Sequence, residues 1–138
     1  MANLIFDQKA RVGAWVASQV GQTGEWGSFY AMGVESGGEL TSGIVFNNFN
    51  GANATCHIAV ERPNKAFVKL LEAAADYAFN LCGLKRLTGM VPSNEPHILA
   101  FDKHLGWEEE FVMKDGAPGA DMHILVMWPD RCRWLRKE

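Results

Sequence analysis

Leu84-Lys85-Arg86-Leu87-Thr88-Gly89-Met90-Val91-Pro92-Ser93-Asn94, followed after one helix-length gap by Asp102-Lys103-His104-Leu105-Gly106-Trp107-Glu108-Glu109-Glu110, decides how this chain is read. Lys85 to Val91 is a short run with β-favouring residues, bounded downstream by Pro92, Ser93 and Asn94, and it predicts a strand. Asn94 to Leu105 predicts a helix opened by Ser93 or Asn94 and closed by Gly106, the residue type that tolerates a left-handed terminator. At Trp107 the pattern turns back to strand.

Upstream, Lys65, Lys69, Glu72, Asp76 and Asn80 recur at helical spacing while Phe67, Leu70, Leu71, Ala74, Ala78 and Leu81 fill the positions between, so Asn64 to Cys82 predicts a helix stopped by Gly83. Before it, Ala54, Cys56, Ile58 and Val60 alternate with Thr55, His57, Ala59 and Glu61. This predicts a strand from Asn53 to Glu61 with His57 and Glu61 on one face. Ser28 to Val34 and Leu40 to Phe46 flank Ser36-Gly37-Gly38 as a hairpin. The start reads as a strand from Asn3 to Phe6 and a helix capped by Asp7, carrying Val12, Trp15, Val16 and Val20 and ending at Gly21. Gly21 to Gly27 is a loop that holds Trp26. Downstream, Trp107 to Lys114 and Asp121 to Trp128 are two strands joined through Asp115-Gly116-Ala117-Pro118-Gly119, and Pro129 ends the second. The order is strand, helix, three strands, helix, strand, helix, two strands, which makes the chain α+β with a mixed sheet covered by helices.

The 138 residues are 48% hydrophobic and 21% charged, ordinary proportions for one folded domain spanning 1–138. With 13 Lys+Arg against 16 Asp+Glu the net charge is -3, which disfavours nucleic acid and anionic membranes as partners. No apolar run approaches the roughly 20 residues of a membrane span and no secretory leader is legible, so a cytoplasmic location is expected. Cys56, Cys82 and Cys132 are scattered and odd in number; they read as reduced thiols, with Cys56 and Cys82 as core filler. His97 and His104 are seven apart on one predicted helix without a carboxylate or thiol at matching spacing, and no metal site is expected. The tail cations Arg131, Arg133, Arg136 and Lys137 around Trp134 read either as a self-packing end or as a docking patch.

The element order resembles that of the GNAT superfamily of N-acetyltransferases over essentially the whole chain: a mixed, mostly antiparallel central sheet of about seven strands flanked by helices. The strand from Lys85, Asn94 and the Leu105-Gly106-Trp107 helix end carry the sharper resemblance. The ending Cys132-Arg133-Trp134-Leu135 resembles a group of small GNAT-like proteins encoded by bacteriophages, which would put the protein in a host cytoplasm or a virion. The resemblance implies an acetyl-CoA site where the strand Asn53 to Glu61 splays from the strand Lys85 to Val91. Unpaired backbone groups there can take the pantetheine arm, and the N–H groups that open the next helix can take the pyrophosphate. The cofactor-binding positions so implied are Val60, Arg62, Lys65, Ala66, Phe67, Val68 and Lys69, with Asn94 as a cofactor or capping residue. The sequence departs from the family's Q/R-x-x-G-x-G/A loop: counted from Arg62 the glycine places hold Lys65 and Phe67, and counted from Lys65 they hold Val68 and Leu70.

Acetyl transfer needs a neutral amine, a polarised carbonyl and an exit for the thiolate. Glu61 and His57 are the candidate bases, ~13 Å apart along a strand, so at most one touches the amine. Each also reads as an ordinary residue, a solvated strand-end carboxylate and a partly buried imidazole. Many members carry a tyrosine acid four residues before the helix-ending glycine. Here that position is Asp102, beside Phe101, and neither replaces a phenol directly. Protonation from water is the expectation, since a thiol of pKa near 8.5 is a tolerable leaving group. Tyr77 is expected in the core. The Gly21 to Gly27 loop with Trp26 is expected to line the acceptor pocket. The reading is an N-acetyltransferase acting on a primary amine of a small molecule or protein. The rival is a non-catalytic GNAT-fold phage protein serving as a virion or host-interaction component, and modification of a nucleobase amine is a third, weaker reading. The sequence leaves a homodimer open.

Overall fold

A computed structural model describes residues 1–23 and 25–136. The elements are β1 (Ala2–Ile5), α1 (Lys9–Val20), β2 (Phe29–Ser36), β3 (Glu39–Asn47), β4 (Asn53–Val60), α2 (Lys65–Ala75), β5 (Arg86–Pro92), α3 (Pro96–Leu105), β6 (Glu108–Ala117) and β7 (Ala120–Met127). They appear in the order the sequence predicts. All seven strands form one sheet, ordered β1-β2-β3-β4-β5-β7-β6. Every neighbouring pair is antiparallel except β4 and β5, which run parallel because α2 carries the chain back across the sheet between them.

Alternation along the strands divides the core in two. Ile44, Phe46, Ala54, Cys56, Leu87 and Leu125 meet α2 and α3 in the larger cluster, whereas Val45, Ala59, Ala31 and Leu40 meet Val12, Val16 and Trp26 of the α1 side. Helix α1 lies very close to the sheet: a Cβ at Gly43 would stand 2.8 Å from a Val16 methyl, so that β3 position needs a residue without a side chain.

Several boundaries shift from the sequence reading. Helix α1 is capped at Gln8, not Asp7, and Val20 is exposed. The predicted single helix from Asn64 to Cys82 is α2 plus a π-helical segment, Asp76–Leu81, whose wider turn carries Tyr77 against the rings of Tyr30 and Phe46. Helix α3 begins at Pro96 behind Glu95, so Asn94 does not cap it, while the Ser93 hydroxyl accepts the Asp121 N–H. Cys82 is exposed rather than core, and Cys56 and Cys132 are buried. The tail packs on the end of α3 and the start of β6: Trp134 donates to the Leu105 carbonyl, Arg133 to that of His104, and Arg131 pairs with Glu108. Cations placed at a helix C-terminus suit its unpaired carbonyls. Arg136 is exposed, and Lys137 lies outside the described residues.

Gly106 closes α3 at φ 117°, with its N–H bonded to the carbonyls of Asp102 and Lys103. A Cβ there meets nothing nearer than 3.5 Å, so the cost of adding one lies in the backbone conformation. Gly106→Ala is expected to destabilise the fold by about 1–2 kcal/mol, seen as a melting temperature lowered by several degrees.

Candidate functional site

Strands β4 and β5 are pinned at one end and parted at the other. Only Asn53↔Arg86, Ala54↔Leu87 and Thr55↔Thr88 pair. The Thr88 hydroxyl donates to Asn53 Oδ1 at 2.8 Å, and the N–H groups of Lys85 and Arg86 reach the Ala52 carbonyl. Arg86 is itself held by a two-pronged bond to Glu110 and by the Trp128 ring. Beyond Thr55 and Thr88, β4 stays with β3 as far as Val60 and β5 stays with β7 as far as Pro92. The facing edges of Cys56–Val60 and Gly89–Pro92 therefore lack a strand partner, and such edges offer main-chain donors and acceptors to an extended guest. Behind the fork, on the α2 side, lies an apolar cavity of about 30 Å³ bordered by Cys56, Ile58, Leu87, Leu105 and Trp107, large enough for a methyl group or a water.

Helix α2 starts where β4 ends. Asn64 caps it, its Oδ1 accepting the Phe67 N–H at 2.9 Å, while the Val68 N–H bonds the Asn64 carbonyl. The N–H groups of Lys65 and Ala66 remain outside the helical ladder and can face an anion. The sequence-predicted cofactor residues are thus separated. Arg62, Lys65, Val68 and Lys69 are exposed around this helix opening, Ala66 and Val60 are half-buried, and Phe67 is a core residue with its N–H already committed. Asn94 is exposed beyond the far end of β5.

The two candidate bases point to the α1 side but enter different surroundings. Glu61 is exposed, its N–H donating to the Thr41 carbonyl, and it borders an open cleft of about 450 Å³ with Arg11, Trp15, Glu39 and Leu40. His57 lies against the Trp26 ring, centroids 4.6 Å apart, with Nε2 2.9 Å from Asn47 Oδ1. Asn47 Nδ2 donates to the Trp26 carbonyl, which leaves Oδ1 as acceptor and puts the imidazole proton on Nε2. Nδ1 keeps its lone pair. Burial lowers the His57 pKa to about 4, so the ring is neutral at physiological pH and a weak base. Trp26 is itself buried and donates from Nε1 to the Gly13 carbonyl; it anchors the loop on α1 and is not the open pocket wall expected from the sequence. His97 and His104 are both exposed, and the described residues contain no metal-ligating cluster.

Sequence reasoning set Asp102 aside as no direct replacement for a phenol and did not anticipate its surroundings. It falls at the spacing of Leu99 and Leu105 on α3 and is half-buried, and partial burial raises its carboxyl to about 7. The signal was a carboxylate at the helical core spacing 99, 102, 105.

Comparison with solved structures returns one architecture repeatedly. A spermidine/spermine N-acetyltransferase, SpeG, from Vibrio cholerae in complex with manganese ions superposes with a TM-score of 0.73 at 14% identity, over 94% of this chain and 93% of that one. A dodecameric spermidine N-acetyltransferase from the same organism gives 0.72 at 14% identity over 94% of each chain. A chimera of Vibrio cholerae SpeG and hSSAT gives 0.73 at 12% identity, over 94% and 96%. The fold is that of the GNAT acetyltransferases. No family model matches the chain, and no curated protein does.

The neutral His57 has a consequence for stability. Its folded pKa lies below the ordinary 6.5, so the unfolded chain binds the proton first and stability falls as pH drops from about 6.5 towards 4. In urea titrations the wild type is expected to lose up to about 3 kcal/mol across that window relative to His57→Gln, which lacks the titrating ring.

Proposed function

We propose that this protein is a GNAT-fold N-acetyltransferase that moves an acetyl group from acetyl-CoA to a primary amine. The observation that carries the reading is the fork: two parallel strands pair over three positions and then part, with a helix N-terminus at the end of one of them. The pantetheine arm, itself an amide chain, would pair with the unpartnered edges from Cys56 to Val60 and from Gly89 to Pro92. The N–H groups of Lys65 and Ala66, with the Arg62, Lys65 and Lys69 cations around them, would hold the pyrophosphate; the phosphate loop lacks glycine, so this contact depends on backbone donors at the helix opening.

The solved relatives act on spermidine or spermine, and an acceptor of that cationic class fits the cleft on the α1 side. There the Glu39 and Glu61 carboxylates and the Trp15 ring offer an alkylammonium both charge and a π face. Glu61 is the better placed base, because the His57 ring is a weak acceptor of protons. Assembly into an oligomer, as in the dodecameric relative, is part of the same proposal. A non-catalytic role in a phage particle or at a host surface is the second reading, favoured by the core position of Phe67 where a phosphate-loop glycine is the family pattern.

Acetyl-CoA at about 100 times its dissociation constant is expected to stabilise the fold by about 2.7 kcal/mol, detected as a thermal shift. Lys65→Ala is expected to weaken binding in calorimetry without lowering the melting temperature of the free protein. Absence of a shift at millimolar acetyl-CoA would support the non-catalytic reading. If binding holds and a polyamine is acetylated, Glu61→Gln is expected to slow turnover roughly a hundredfold at neutral pH and to recover partly as pH rises.

A further inference from the structure

The sheet ends in an edge that no described element covers. β6 is the last strand in the order and pairs with β7 alone, so the outward N–H and C=O groups along it have no strand partner. Helix α1 packs on β2, β3 and β4. Past β4 the same face of the sheet carries Met90 of β5 with Phe111 and Met113 of β6, which are 44%, 60% and 44% exposed. The register joins them into a band: Met90 lies opposite Ile124 and Ile124 opposite Phe111, while Met122 lies opposite Met113. Val112, between Phe111 and Met113, points to the other face and is exposed as well. Three consecutive exposed apolar residues on an edge strand are a liability that soluble proteins blunt or cover.

The order of residues along this edge supplies its own complement. In Glu110-Phe111-Val112-Met113-Lys114, Val112 is flanked first by an aromatic ring and a thioether and then by an anion and a cation. A second copy, laid antiparallel about a two-fold axis through Val112, sets Phe111 of each chain against Met113 of the other and Glu110 of each against Lys114 of the other. Ring with thioether and carboxylate with ammonium are favourable cross-strand pairs. All five residues are exposed, and Lys114 has no ion pair among the described residues. Glu110 holds Arg86 with both oxygens, yet 39% of its side chain remains exposed and each carboxylate oxygen can accept a further donor. Register shifts between Glu109 and Phe111 and between Met113 and Ala117 bracket the stretch. Such bulges bend an edge away from a long partner, which confines the match to these five residues. The opposite edge, β1, is four residues long and uncharged, so it offers β6 neither length nor complementary charge for head-to-tail addition.

We propose that β6 is a two-fold interface at which two copies of this chain pair antiparallel about Val112, making one sheet continuous across both chains. The inference gives the assembly proposed above a definite surface; it rests on that assembly and not on acetyl transfer. In the pair, the row Met90–Ile124–Phe111 of one copy runs on into Met113 and Met122 of the other, and the apolar band spans both. Outward main-chain groups between Glu110 and Lys114 gain partners. Because β7 stands between β6 and β5, both forks stay open.

Sedimentation equilibrium of the full chain without ligand, at micromolar concentrations, is expected to show a dimer or an even multiple of one. Val112→Lys sets like charges against each other on the axis, and Lys114→Glu sets them at its flanks. Each is expected to raise the dimer dissociation constant tenfold or more while circular dichroism shows the chain still folded. Added salt should narrow the gap between Lys114→Glu and wild type. Cross-linking reads the register, in a Cys82→Ser background that removes the exposed thiol. Residues facing across an antiparallel pair have Cα atoms about 4.5–5.5 Å apart, within reach of a disulfide, whereas diagonal neighbours at about 7–8 Å are not. Oxidised glutathione, which takes up the two electrons, is therefore expected to link Val112→Cys copies to each other and to leave Phe111→Cys copies unlinked. Wild type that stays monomeric at high micromolar concentration would overturn the assembly and this interface together. An oligomer that Val112→Lys leaves intact would overturn the interface and leave assembly standing. Cross-links through Phe111→Cys in place of Val112→Cys would also overturn it, since they put the axis elsewhere. If Val112→Lys fails to fold, the two cysteine variants decide alone.

Discussion

The pairing of β4 with β5 over three residues, and its failure thereafter, is the constraint on which the rest of this structure depends. Parallel strands bring no hairpin to hold them together, so their contact must be fixed by side chains and by what lies across the sheet. The Thr88–Asn53 hydrogen bond and the shared Ala52 carbonyl fix one end. Past that point each strand follows its other neighbour, β4 with β3 and β5 with β7, and the sheet opens. An unpartnered stretch of backbone within a sheet is unfavourable unless water or a guest pairs with it. Here it lies between two helices, and both are tied to it: α2 begins where β4 ends, and Trp107, just past the end of α3, lies over Gly89 of β5.

The two faces of the fork differ in kind. On the α2 and α3 face the lining is apolar, with buried thiols and a small cavity. On the α1 face the lining is polar and organised: Trp26, bonded to Gly13, supplies both a ring and a carbonyl that fix Asn47 and His57. Burial acts on the two ionisable groups in opposite senses, because it penalises whichever form is charged. His57 is kept neutral by losing its proton, while the Asp102 carboxyl is raised to about 7 and holds its proton to higher pH than an exposed carboxylate.

Much of the fold was legible in the chain because it rests on local rules. Alternation from Asn53 to Val60, the apolar stripe of α2 and the terminators Gly21, Gly83 and Gly106 are written in side-chain type and spacing, and the order of elements follows from them. What local rules do not encode is which of two plausible caps wins: Asn94 and Asp7 were both suitable, yet the helices open behind Glu95 and Gln8, neither with a side-chain cap bond. The π-helical turn at Asp76–Leu81 escaped for the same reason, since an added residue per turn serves the fit of Tyr77 against Tyr30 and Phe46.

For the candidate site the division is sharper. By itself the sequence determined that His57 and Glu61 share a face, that a helix opens just after Glu61, and that no glycine stands in that opening, because each follows from strand parity or residue identity. Only the tertiary structure decided that His57 is shielded by Trp26 while Glu61 stands in an open cleft, that Phe67 belongs to the core, and that burial raises the Asp102 carboxyl. Those properties depend on dielectric surroundings contributed by residues distant along the chain, and a side chain's burial is set by what folds over it.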